Sequence, residues 1–131
     1  MMITITVPRT GGYDKERQKS SLTANQYQAL AARTIDPGMT KDDMRHHALH
    51  GMVGEIGELH SLFQKLYQGH AFDPAHEKKE LGDLLWFAAE YCTSRGWTLE
   101  EVMCANIDKL KARYPEGFDP EKSLHRKEGD V

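Results

Sequence analysis

Four carboxylates fall into two matched pairs. Glu55 and Glu58 stand three residues apart in "GEIGELH", and Glu80 and Asp83 stand three apart in "KKELGDLLWF". On a helix, residues three apart share a side. Each pair lies at the margin of its segment's apolar stripe, so two helices packed antiparallel bring the margins together. Four like charges so placed repel one another unless a cation sits among them. All-oxygen ligands suit a hard divalent ion, above all Mg²⁺, with Mn²⁺ as its substitute. A single acid pair at this spacing is more often a solvated face. Lys78 and Lys79 also offer local ion pairs, which keeps that plainer reading open. The matched repetition favours the metal.

A second group carries different chemistry. Asn106, Lys109 and Arg113 follow at spacings of three and four, beside Ile107 and Leu110. A donor-rich stripe of this kind suits phosphate oxygens that a carboxylate-bound Mg²⁺ also contacts. Basic residues near a helix C-terminus are also favoured by the helix dipole alone. Trp86 is rotated away from the leucines, free to stack on a base or to lie in a subunit interface. Phe87 points nearer the carboxylate edge, as a pocket wall. His46 and His50 are four apart, but no "HExxH" and no cysteine cluster completes a zinc site. His46, His47 and His50 fit better as a polar helix start, or with one of them, His50, near a substrate's sugar or base. Glycine-rich phosphate loops, GxSxG elbows and dinucleotide fingerprints are absent, and so is the Glu-x-x-His repeat of di-iron bundles.

The elements that must position these residues read as helices from Ser21 onward. "LTANQYQALAARTI" is the first, broken by the Pro-Gly pair of "DPGMTKDD". The second runs from about Asp43 to Gln68, with Leu49, Met52, Val53, Ile56, Leu59, Phe63 and Leu66 as one inward stripe and Gly69 just past its end. Glycines 51, 54 and 57 weaken this helix and permit close approach of another helix or of substrate. Asp73 caps the third helix, Pro74 opens it, and Gly96 ends it. Leu81, Leu84, Leu85, Ala88, Tyr91 and Cys92 are expected to face inward. "TLEE" is a capping box, Thr98 reaching toward Glu101, and it starts a fourth helix that Pro115 stops. One more short turn follows Pro120.

Four amphipathic helices with short links argue an all-α, four-helix-bundle-type fold. Residues 21–131 form one helical domain with a short C-terminal tail. Residues 1–20, with "ITITV", form an N-terminal arm or edge strand outside the core. A length of 131 residues fits one domain, and the net charge of −3 without a basic stripe argues against a nucleic-acid polymer as partner. No run reaches the apolar length of a membrane span, and the N-terminus lacks a signal peptide's basic region. A cytoplasmic protein with buried, reduced thiols at Cys92 and Cys104 is expected, both cysteines lying in apolar helical segments. The wide apolar faces point to oligomerisation.

With "GEIGEL", "KELGDLLWF" and "NIDKLKARYPEGF" in this order and spacing, the chain resembles the MazG-like nucleotide pyrophosphohydrolases. That all-α group includes the dimeric dUTPases and the phosphoribosyl-ATP pyrophosphohydrolases. The likeness extends over roughly residues 22–126, from "YQALAARTI" to "SLHR". It implies that Glu55, Glu58, Glu80 and Asp83 bind Mg²⁺, and that Asn106, Lys109, Arg113 and Tyr114 hold nucleotide phosphates. Many members begin the first motif with two adjacent acids, and Gly54 stands at the leading position here. The implied reaction is hydrolysis of a (d)NTP between its α and β phosphates, with Glu55 or Glu58 taking the proton of the attacking water. A homodimer or a dimer of dimers is implied, the neighbouring subunit completing the base pocket. Hydrolysis of phosphoribosyl-ATP is the near alternative on the same fold, and a non-enzymatic interaction module is the alternative from another class.

Overall fold

The computed structural model describes residues 21–131, so the expected N-terminal arm lies outside the described residues. Five helices follow in order: α1 (Ala24–Ala32), α2 (Lys41–Tyr67), α3 (Pro74–Arg95), α4 (Leu99–Arg113) and the short α5 (Pro120–Leu124). The expected all-α architecture is what forms.

Each start has a local cause. Thr23 and Gln26 close a capping box on α1, and Thr40 and Asp43 close another on α2. The second box places the start of α2 two residues before the expected Asp43. Asp73 accepts from the Ala75 N–H with Pro74 at the first helical position of α3. The Gly96 C-cap, at φ 71°, ends α3 in the left-handed region. On α4 the Thr98 hydroxyl accepts from the Glu101 N–H, while the reciprocal half of the expected box is absent among the described residues.

α2 and α3 form an antiparallel hairpin. Arg45 reaches the Ser94 carbonyl, His47 meets Glu90, Gly51 faces Phe87, and Phe63 packs on Phe72 near the tip. As numbering rises on one helix it falls on the other. α1 lies along α3, where Trp86 Nε1 donates to Thr34 Oγ1 at 2.8 Å. Gln28 ties three elements together: its amide nitrogen donates to Thr93 Oγ1 and the Trp97 carbonyl, and its oxygen accepts from the Leu99 N–H.

The core is small-residue packing: Ala31, Met44, Ala48, Ala89 and Cys92 are its buried apolar members. This corrects the expected inward stripes. Val53 is 73% exposed and Ile56 56%, and Leu49, Phe63, Leu66, Leu81 and Leu85 are exposed as well. The reason is rotation. The face of α2 that meets α3 runs through Met44, Ala48, Gly51 and Glu55, about a third of a turn or more from Leu49, Val53 and Ile56. Periodicity identifies an apolar face, not what covers it. α4 buries no residue fully. Cys92 is a buried free thiol, and burial raises its pKa, whereas Cys104 is exposed, against expectation.

Candidate active site

The carboxylates gather where α2 and α3 pass. Ligand oxygens of Glu55, Glu80 and Asp83 all lie within 4.8 Å of one another. The hairpin register sets this, since Glu55 comes opposite the turn that carries Glu80 and Asp83. Gly51, one turn before Glu55, helps to close the gap. A Cβ there would run into the Phe87 ring, so the two helices meet closely because that position has no side chain. Gly54 and Gly57 face open space within this chain, so neither brings α2 closer to α3. Glu58 is exposed and lies outside the group of three.

Crowding changes how these acids hold protons. The Glu55 acid is pushed up to about 7, first by its hydrogen bond with Glu80, then by burial, then by the charges of Asp83, Glu80 and Glu58. Glu80 moves the other way, held below its usual range by hydrogen bonds from Glu55 and from His76. His76 Nε2 stands 2.7 Å from Glu80 Oε1. Of the two, Glu55 is the acid that keeps its proton toward neutral pH. The other Glu55 oxygen, Oε2, is buried with no hydrogen-bond partner. A buried polar atom left unpaired is costly, and a cation among the three carboxylates would satisfy it. The donor set, oxygen only and doubly crowded, fits a hard divalent ion.

Other expected residues sit in two further places. Trp86, Phe87 and His47 form a ring cluster on the same helix pair, with Phe87 5.1 Å from Trp86 and 5.5 Å from His47 between centroids. His50 stacks on His46 outside that cluster, at 6.3 Å. Lys109 and Arg113 line a cavity of about 420 Å³ together with C-terminal residues that include Lys122, Arg126 and Asp130. Arg113 is taken there by Asp130, at 2.7 Å from Nε and 2.6 Å from Nη2. None of the carboxylates of the α2–α3 group lines this cavity, and neither does Asn106, which is exposed. The Tyr114 ring packs on Phe118 at 5.5 Å. Different side chains thus line the acidic centre and the basic cavity.

Three participants escaped sequence reasoning. His76 was legible as a partner four residues before Glu80. Tyr27 on α1 has its phenol pushed up by burial and by Asp83, a neighbourhood that only the α1–α3 packing creates. The pairing of Arg113 with Asp130 joins positions 17 apart through the tail, with no periodic signal.

The fold and the centre define an all-α protein with a carboxylate site of the kind that divalent ions occupy in phosphate chemistry. Comparison with known protein families matches residues 44–118 to the MazG nucleotide pyrophosphohydrolase domain. The matched span is more than half of the chain and contains Glu55, Glu58, Glu80 and Asp83. The chain belongs to the MazG nucleotide pyrophosphohydrolase family. No curated protein and no solved structure gave a match. Among the described residues, no helix is long and apolar enough to cross a membrane.

Proposed function

We propose that this protein is a Mg²⁺-dependent nucleoside triphosphate pyrophosphohydrolase. It hydrolyses (d)NTP between the α and β phosphates to (d)NMP and pyrophosphate, as house-cleaning of the cytoplasmic nucleotide pool. The observation that carries the reading is the carboxylate group of Glu55, Glu80 and Asp83 with its unpaired buried oxygen. These three would hold the ion, Mn²⁺ serving in place of Mg²⁺. When bound, such an ion neutralises phosphate charge and lowers the pKa of a coordinated water. Glu58, exposed and outside the group, is free to take the proton of the attacking water.

Asn106 and Lys109 supply donors for phosphate oxygens, and Arg113 joins them by exchanging Asp130 for phosphate. Tyr114 lies beside that guanidinium. Because these residues share no cavity with the acids, we assign their meeting to a homodimer or dimer of dimers, in which one copy's basic residues reach the other's carboxylates. Trp86, Phe87 and His50 are assigned to the nucleoside end. Positioning and charge stabilisation provide most of the acceleration.

A substrate panel tests the reading. Pyrophosphate release is followed with the common (d)NTPs, dUTP, oxidised and methylated analogues and phosphoribosyl-ATP, with and without Mg²⁺. Turnover on at least one nucleoside triphosphate, dependent on Mg²⁺, is expected. Asp83→Asn and Glu58→Gln should each lower kcat by about 10²-fold or more, as loss of a metal ligand or general base does. Silence across the panel would sink the enzyme reading and favour an interaction module. A wide preference for phosphoribosyl-ATP would move the assignment to histidine synthesis.

A further inference from the structure

Glu90 is the largest fully buried side chain among the described residues, at 1% exposure, and the reaction just described does not use it. Its carboxylate has one hydrogen-bond partner among the described residues. His47 Nδ1 lies 2.7 Å from Oε1 and 3.0 Å from Oε2, across the α2–α3 seam. Both carboxylate oxygens converge on Nδ1, so that ring nitrogen is the one spent on Glu90. Nε2 is left over, and it has no partner among the described residues. The His47 side chain is 48% exposed, so a ligand can reach the ring.

The surroundings are built to the same end. The His47 ring packs in T-shaped fashion with Phe87, at 5.5 Å, and with Trp86, at 6.1 Å. Trp86 is itself pinned through Nε1 to Thr34. Two rings are thereby fixed by polar anchors behind them while remaining accessible in front, as a preformed recognition surface requires. Bracing two helices needs no such arrangement, since a buried charged pair can commonly be replaced by apolar residues without loss of stability. The location also fits. Along α2, His47 precedes Glu55 by eight residues, roughly 12 Å at the helical rise, on the side that faces α3. That span is comparable with the reach from a nucleotide's phosphates to its base.

We propose that His47 binds the nucleoside portion of the substrate through Nε2, beside the faces of Trp86 and Phe87, and that Glu90 is the positioning residue that fixes the ring. The ligand group is a hydrogen-bonding edge of the base or a sugar hydroxyl. This rests on the nucleotide pyrophosphohydrolase reading and extends it to the nucleoside end.

The test uses the full chain and compares wild type with His47→Gln, Glu90→Gln and the double variant His47→Phe with Glu90→Met. The double variant keeps the volume of the pair and removes its polarity, so its melting temperature should stay near wild type. Its KM should rise roughly tenfold, one net hydrogen bond, with kcat little changed and with weaker discrimination among bases. His47→Gln, whose amide reaches the place of Nε2, should recover part of that loss, and Glu90→Gln should fall between. The ¹⁵N resonance of His47 Nε2 in the wild type should shift on adding Mg²⁺ and a nucleotide with a non-hydrolysable α–β bridge. Wild-type turnover with an unchanged KM and base preference in the folded double variant overturns this inference alone. An unmoved Nε2 resonance at saturating nucleotide overturns it even if that variant does not fold. An inactive wild type overturns the reaction and this inference together.

Discussion

The opposite shifts of Glu55 and Glu80 give the centre a measurable signature. Glu55 in the fold holds its proton up to about 7, above the value of an unfolded glutamic acid. Such a group contributes stability that is fully present below the unfolded pKa and is lost as pH rises through the folded one. Glu80, shifted downward, contributes above its unfolded value and loses that only on acidification, so it stays constant near neutrality. Metal-free protein in EDTA should therefore melt at a lower temperature at pH 8 than at pH 6. Saturating Mg²⁺ should flatten that slope, and Glu55→Gln should abolish it, with circular dichroism as the readout. A melting temperature that rises over this interval in EDTA would contradict the upward shift of Glu55. At this scale the sequence discloses Glu55, Glu80 and Asp83 through their spacing. It does not separate Glu58 from Glu55, because a step of three residues rotates the helix by about 60° short of a full turn. It also does not disclose Glu90 with His47, whose partnership over 43 positions depends on the register of two helices.

Among the elements, ends were more legible than faces. Asp73 with Pro74, Gly96, Gly69 and Thr98 mark boundaries by local chemistry, and the helices obey them. Faces depend on neighbours, and α2 shows why. It carries one side of small residues and acid toward α3, and another of Leu49, Val53, Ile56, Phe63 and Tyr67 away from it, so a single apolar stripe was too simple. The glycines sort in the same way. Gly51→Ala forces Phe87 away from the α2 backbone and should cost about 1–3 kcal/mol as overpacking. Gly54→Ala meets open space and should instead stabilise by up to about 1 kcal/mol. Urea unfolding of both variants decides, and equal effects would remove the special role of Gly51.

At the scale of the whole molecule, large apolar side chains left exposed outnumber the buried apolar ones among the described residues. The outer residues of α2 repeat as Leu49, Val53, Ile56, Phe63 and Tyr67, on a spacing of four and three with His60 between, the interval at which one helix seats against another. The sequence discloses the surplus of apolar surface through its wide stripes, whereas what covers that surface is decided by packing between molecules. The proposed dimer or dimer of dimers predicts two or four copies by size-exclusion chromatography with light scattering. Val53→Glu and Ile56→Glu should shift that mass toward one copy and lower activity, because the basic residues then no longer meet the acids. Single-copy mass with full activity in either variant would place the phosphate donors within one chain.

The hairpin has a consequence for how this chain tolerates change in length. Every carboxylate of the acidic centre and every ring assigned to the nucleoside end lies in 47–58 or 76–90, and the tip between them, around Gly69, carries none. Extending a connection costs only about 0.6 kcal/mol per doubling of its length. A peptide tag or a small reporter spliced in beside Gly69 should therefore leave the centre intact. One residue added within 47–58 would turn the acids by about 100° and dismantle it. The molecule thus separates a stretch where insertions are absorbed from a stretch where none can be, and that boundary is open to an insertion scan.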